Sequence, residues 1–128
     1  MRILIALALT FASALTFAHS MSPAFEVEQA LTPVHTKVYT LTNKYPFPAV
    51  YEVEVLNKDE SLAGDWKTDK TEYNLLPNSS RKINIKFKVS TQRKLLVCTK
   101  LIEIGTKNEK ASIISRVCSR LIINGISI

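Results

Sequence analysis

Two thiols and one histidine are the residues best suited to chemistry beyond the first twenty positions of this sequence. Cys98 and Cys118 lack the C-x-x-C spacing that tunes a thiolate for redox work. No histidines lie close enough in sequence to complete a zinc site with them. In an exported chain such a pair is expected to bridge, closing a loop of about 20 residues worth on the order of 3 kcal/mol in the chain-entropy model. His35 has no Ser, Cys or acidic residue at a recognised catalytic spacing. Zinc, EF-hand, phosphate-loop and nucleophile-elbow motifs are all missing. The expectation is a protein that is not an enzyme and that uses no metal and no cofactor.

Export is read from the N-terminus. "MRILIALALTFASALTFAHS" joins a positive Arg2 to an apolar stretch, Ile3 to Phe17. Ala18 and Ser20 then sit at minus three and minus one of a cut before Met21, the pattern of a secretory signal peptide over residues 1–20. The apolar run is shorter than the roughly 20 residues a spanning helix needs. No stable membrane insertion is therefore expected after cleavage, and the location is the periplasm or the exterior. The remaining about 108 residues, 21–128, suffice for one compact domain.

Charge divides unevenly along that domain. Residues 21–80 carry five Lys against nine Asp or Glu, whereas residues 81–128 carry eleven Lys or Arg against Glu103 and Glu109. Such asymmetry can mark nucleic-acid binding. Export and the absence of aromatic residues among the basic ones argue against it, which leaves acidic partners or anionic envelope surfaces open.

The elements that position these residues announce themselves by period-two alternation, the mark of half-buried strands. "AFEVEQ" places Phe25 and Val27 on one face and Glu26 and Glu28 on the other. "KVYTLTN" alternates Tyr39 and Leu41 with threonines, and "AVYEVEVL" sets Ala49, Tyr51, Val53 and Val55 against Glu52 and Glu54. Pro46 and Pro48 between them favour a turn. A polar loop follows, with Trp66 capping the core, and "KTDKTEYNLL" reads as one short or irregular strand. "RKINIKFKV" then points Ile83, Ile85 and Phe87 inward and leaves Lys82, Lys86 and Lys88 as a solvated face. "RKLLVCTKLIEI" places Leu95, Val97, Thr99 and Leu101 on the core side and Cys98 outward.

The closing "ASIISRVCSRLIINGISI" puts Val117, Leu121 and Ile123 inward and Cys118 outward between Arg116 and Arg120. Roughly seven short strands and no convincing helix predict an all-β, immunoglobulin-like β-sandwich. In that topology strands C, F and G share a sheet, so outward cysteines on F and G can meet, with Glu52 and Glu54 on the same outer face.

Three stretches resemble the N-terminal immunoglobulin-like domain of the PapD-like periplasmic pilus chaperones. They are "MSPAFEVEQ", "VYTLTNKYPFPAVYEVEV" and "LLPNSSRKINIKF"; the likeness as a whole covers about residues 21–103, and the final strand fits by position. The resemblance implies a chaperone assisting pilus assembly by β-strand pairing with a subunit. It makes the final strand the one that is lent, through Ile114, Cys118 and Ile122 or through Val117, Leu121 and Ile123. Arg116 and Arg120 would anchor a subunit carboxylate through charge-assisted bonds. Two readings stand beside it: the strand closes only the chain's own core, or the domain is a secreted structural or adhesive module binding through its loops and basic faces.

Overall fold

The computed structural model describes residues 19–104, 109–110 and 115–126. Among the described residues ten strands run in chain order: β1 His19–Ser22, β2 Phe25–Gln29, β3 Val34–Asn43, β4 Ala49–Asn57, β5 Trp66–Thr68, β6 Glu72–Leu75, β7 Ser80–Lys88, β8 Arg93–Ile104, β9 Glu109–Lys110 and β10 Arg116–Asn124. One sheet has the order β1-β3-β7-β5. The other has the order β2-β10-β8-β4-β6, with β9 paired to β8. No helix occurs among the described residues. The result is the expected β-sandwich, with the three strands read as C, F and G (β4, β8 and β10) side by side.

Alternation decides what lies between the sheets. Tyr39, Leu41, Tyr51, Ile83, Ile85, Phe87, Val97, Leu121 and Ile123 are fully or almost fully buried in one core. On β7 their intervening neighbours, Lys82, Asn84, Lys86 and Lys88, are polar and turn to water, as the outer face of a two-layer sandwich allows. Trp66 is half-buried against this core and donates its indole N–H to the Ala63 carbonyl at 3.0 Å. Lys82, Lys86 and Lys88 are exposed, as expected of a solvated face.

Asn43 is the buried polar centre of one end of the sandwich. Its amide donates to the carbonyls of Phe47, Leu76 and Leu75 at 3.0, 3.2 and 3.4 Å. Its Oδ1 accepts from the Tyr45 N–H at 3.1 Å and the Tyr51 hydroxyl at 2.8 Å. One side chain thus ends β3, shapes the proline-containing turn and ties both to the β6–β7 turn. Pro77 stands outside the ladders between β6 and β7, where a residue without an N–H belongs.

One expectation is corrected, and two features lie beyond what the sequence showed. "KTDKTEYNLL" is two strands, one in each sheet: β5 pairs β7, and β6 pairs β4. β2 is inverted relative to a half-buried strand with its apolar face inward. Phe25 and Val27 are 53% and 52% exposed, and Glu26 and Glu28 turn towards the interior. The reason lies in β3, whose inward face carries His35 and Lys37 in phase with Tyr39 and Leu41. Those bases need a carboxylate, and Glu28 supplies it: His35 Nε2 lies 2.7 Å from Oε1 and Lys37 Nζ 2.5 Å from Oε2. His35 therefore does have an acidic partner, which the sequence spacing did not reveal.

Burial raises the Glu28 pKa, but the hydrogen bonds and charges of Lys37 and His35 outweigh it and leave the carboxyl below its ordinary value. A depressed carboxyl stabilises the fold above its unfolded pKa, and that contribution is lost as pH falls through the folded pKa. Glu28→Ala strands a nearly buried ammonium. It is expected to cost about 2–3 kcal/mol at pH 7 and to flatten the acid limb of stability below about pH 4.5. Urea titrations of both proteins from pH 3 to 7 check both effects.

Candidate functional site

The residues singled out on the last strand are set by the β8–β10 ladder. Its register pairs Arg116 with Lys100, Val117 with Thr99, Cys118 with Cys98 and Arg120 with Leu96. Leu101 N–H donates to the Ser115 carbonyl at 2.8 Å, and on the opposite flank Arg120 N–H donates to the Ala24 carbonyl at 3.0 Å. Backbone groups alternate along a strand, so residues 117, 119, 121 and 123 bond β8. Residues 116, 118, 120, 122 and 124 present their N–H and C=O to the other flank.

That flank has two halves. From Arg120 to Asn124 it is covered by β2, which runs parallel from Phe25 to Gln29. From Arg116 to Ser119 no strand pairs with it among the described residues. Among the described residues β10 therefore changes within one strand from an interior position to an edge.

The side chains divide at the same place. Leu121 and Ile123 are 0% exposed and fill the chain's own core. Val117, inward-facing and half-buried, packs at the core's margin, and Ser119 is buried with its hydroxyl on the Pro23 carbonyl. Arg116, Cys118 and Arg120 point outward and are exposed. Ile114 lies outside the described residues. Of the partner-binding candidates, Arg116, Val117 and Arg120 are the ones at or near the accessible surface, while Leu121 and Ile123 belong to the interior.

Cys98 and Cys118 form a disulfide with their Cα atoms 4.0 Å apart. They are directly opposite at a non-hydrogen-bonded site of the ladder, where side chains approach most closely. On the outer face shared with Glu52 and Glu54, Arg116 Nη2 lies 3.6 Å from Glu54 Oε2. An exposed pair of this length is worth under about 1 kcal/mol. Arg120 instead sits over the Phe25 ring, 5.9 Å from its centroid. Beside it, Lys58, Lys94, Leu96, Arg120 and Ile122 line a shallow groove of about 280 Å³.

This arrangement suits recognition. It combines an open strand edge, an apolar margin at Val117 and guanidinium groups at both ends of the Arg116–Arg120 segment. No cluster of three or more His, Cys, Asp or Glu that could hold a metal occurs among the described residues. No helix there is long and apolar enough to cross a membrane.

No protein-family model and no curated protein sequence matches the chain. Solved structures do. The complex of the Salmonella enterica SafA pilin with the SafB chaperone matches with TM-score 0.70 at 15% identity, over 91% of this chain and 58% of that one. The E. coli chaperone DraB matches with TM-score 0.64 at 16% identity, over 85% and 55%. A PapD-like domain of human CEP192 matches with TM-score 0.60 at 12% identity, over 88% and 87%. The fold is therefore the PapD-like immunoglobulin sandwich. The chain spans somewhat more than half the length of the chaperone chains and most of the length of the human domain.

Proposed function

We propose that this protein is a periplasmic, chaperone-like binding protein, not an enzyme, that assists assembly of a pilus or other surface structure by strand pairing with a subunit. The observation that carries this reading is the flank of Arg116–Ser119, which no strand pairs among the described residues. An exposed edge is a template for another chain's backbone, and soluble sandwiches ordinarily blunt such edges. The SafA–SafB and CsuC–CsuE complexes of fold relatives pair a chaperone with a pilus subunit, which is consistent with a protein partner for this fold. In this reading the partner's backbone bonds Arg116 and Cys118, the margin at Val117 meets an apolar side chain, and Arg116 and Arg120 meet carboxylates.

The second reading is a structural or adhesive module that binds through loops or outer faces. Its support is the disulfide that pins the centre of β10.

Arg116→Pro separates the two. It removes an N–H from the open flank and leaves the β8 ladder bonds in place, since Arg116 faces Lys100 at a non-hydrogen-bonded site. Capture of small sandwich subunits from envelope extract, read by mass spectrometry, is expected to drop at least about tenfold. Arg116→Ala, which keeps the N–H, should stay within about threefold of wild type. Equal capture by wild type and a folded Arg116→Pro protein favours loop-mediated binding.

A further inference from the structure

His19 and Ser20 are integral parts of the sandwich, although a cut before Met21 would discard both. His19 is 3% exposed. Its Nε2 lies 2.9 Å from the Thr99 carbonyl and 3.0 Å from Thr99 Oγ1. Its ring lies against Tyr51, with centroids 4.5 Å apart. Thr99 and Tyr51 are themselves fully buried. β1 holds its place through four pairs with β3: His19 with Asn43, Ser20 with Thr42, Met21 with Leu41 and Ser22 with Thr40.

Starting the chain at Met21 would remove two of those pairs. It would leave a cavity over Tyr51, take the partner from a buried threonine and bare the β3 edge beside Asn43. Unpaired polar groups and lost packing both destabilise a small domain.

We propose that the chain is processed between Ala18 and His19, so that the mature protein begins with His19. The proposal rests on the export leader and on the packing of His19, not on any partner. The peptidase's requirement for small residues at minus three and minus one is met by Thr16 and Ala18. Cleavage is hydrolysis by an export-linked endopeptidase. Water adds across the Ala18–His19 peptide bond, leaving a carboxylate on Ala18 and an amine on His19. Ala12 and Ala14 could satisfy the same requirement for a cut before Leu15. That leader of 14 residues falls short of the roughly 15–30 such leaders occupy.

Full-length chain produced in an exporting bacterial host, then sequenced from its N-terminus and weighed intact under denaturing conditions, tests this without requiring a folded product. The expected start is His19. Ser20→Gln should leave that start unchanged, whereas Ala18→Leu should abolish it. A start at Met21 or Leu15, or an unprocessed exported chain, overturns the proposal. Chains released from a cleavable fusion to begin at His19 or at Met21 supply the second measurement. The Met21 chain should melt at least about 5 °C lower, and equal melting temperatures would remove the structural reason for the site.

Discussion

Asn43→Ala is expected to destabilise the domain by about 3–4 kcal/mol, the largest loss from a single polar side chain in this fold. Asn43 is 0% exposed, and its amide group satisfies the Tyr51 hydroxyl, the Tyr45 N–H and carbonyls on two separate turns. Alanine removes every one of these partners at once and cannot admit bulk water to replace them. For a domain of about 100 residues the loss corresponds to a fall in melting temperature of about 12–25 °C. Asn43→Asp keeps the acceptor for Tyr45 and Tyr51 but turns an anionic oxygen towards carbonyl oxygens. It should therefore be no milder at neutral pH. Calorimetry of both variants checks this, and a loss below about 1 kcal/mol for alanine would mean that the turn is held by other contacts.

Removing the disulfide is the second large effect. Cys98 and Cys118 are 20 residues apart, and their bridge covalently ties the part of β10 that has one strand neighbour among the described residues. Replacing both with alanine is expected to cost about 3 kcal/mol by freeing the unfolded chain, a fall in melting temperature of about 12–20 °C. The loss should be accompanied by faster amide exchange from Arg116 to Ser119 than from Arg120 to Asn124. The latter segment keeps β2 on its second flank. Equal loosening of both halves would contradict the division of β10 into an edge and an interior part. Wild-type protein in a reducing agent should reproduce the double mutant.

The large strands were legible because one physical rule governs them. β7 alternates throughout and β4, β8 and β10 along most of their length, and the outward phase of Cys98 and Cys118 led directly to their pairing across neighbouring strands. β2 was not legible in the same way. "FEVEQ" alternates, but alternation separates two faces without saying which one is buried. A hint did exist in β3, where His35 and Lys37 share the phase of Tyr39 and Leu41. Inward bases of that kind call for a carboxylate, and Glu28 is close enough in sequence to provide it.

β5 and β6 look like one strand because a chain that switches sheets need not break its polar–apolar rhythm. β1 was hidden by its overlap with the leader, since hydrogen bonding to Thr99, 80 residues away, leaves no local trace. The candidate site was half legible. The basic outer face and the inward apolar residues were readable from β10 alone. Where β2 stops covering that strand depends on a parallel register between segments nearly a hundred residues apart.

The whole account depends on an intermolecular ladder forming along β10 upstream of Arg120. Its most direct measurement is amide hydrogen exchange, residue by residue, on the free protein and on its complex with a captured subunit. The account predicts that the Arg116 and Cys118 amides slow at least about tenfold in the complex, while those of Val117 and Ser119, already bonded to β8, change little. Unaltered exchange at Arg116 and Cys118, with protection appearing in the loops instead, would contradict it.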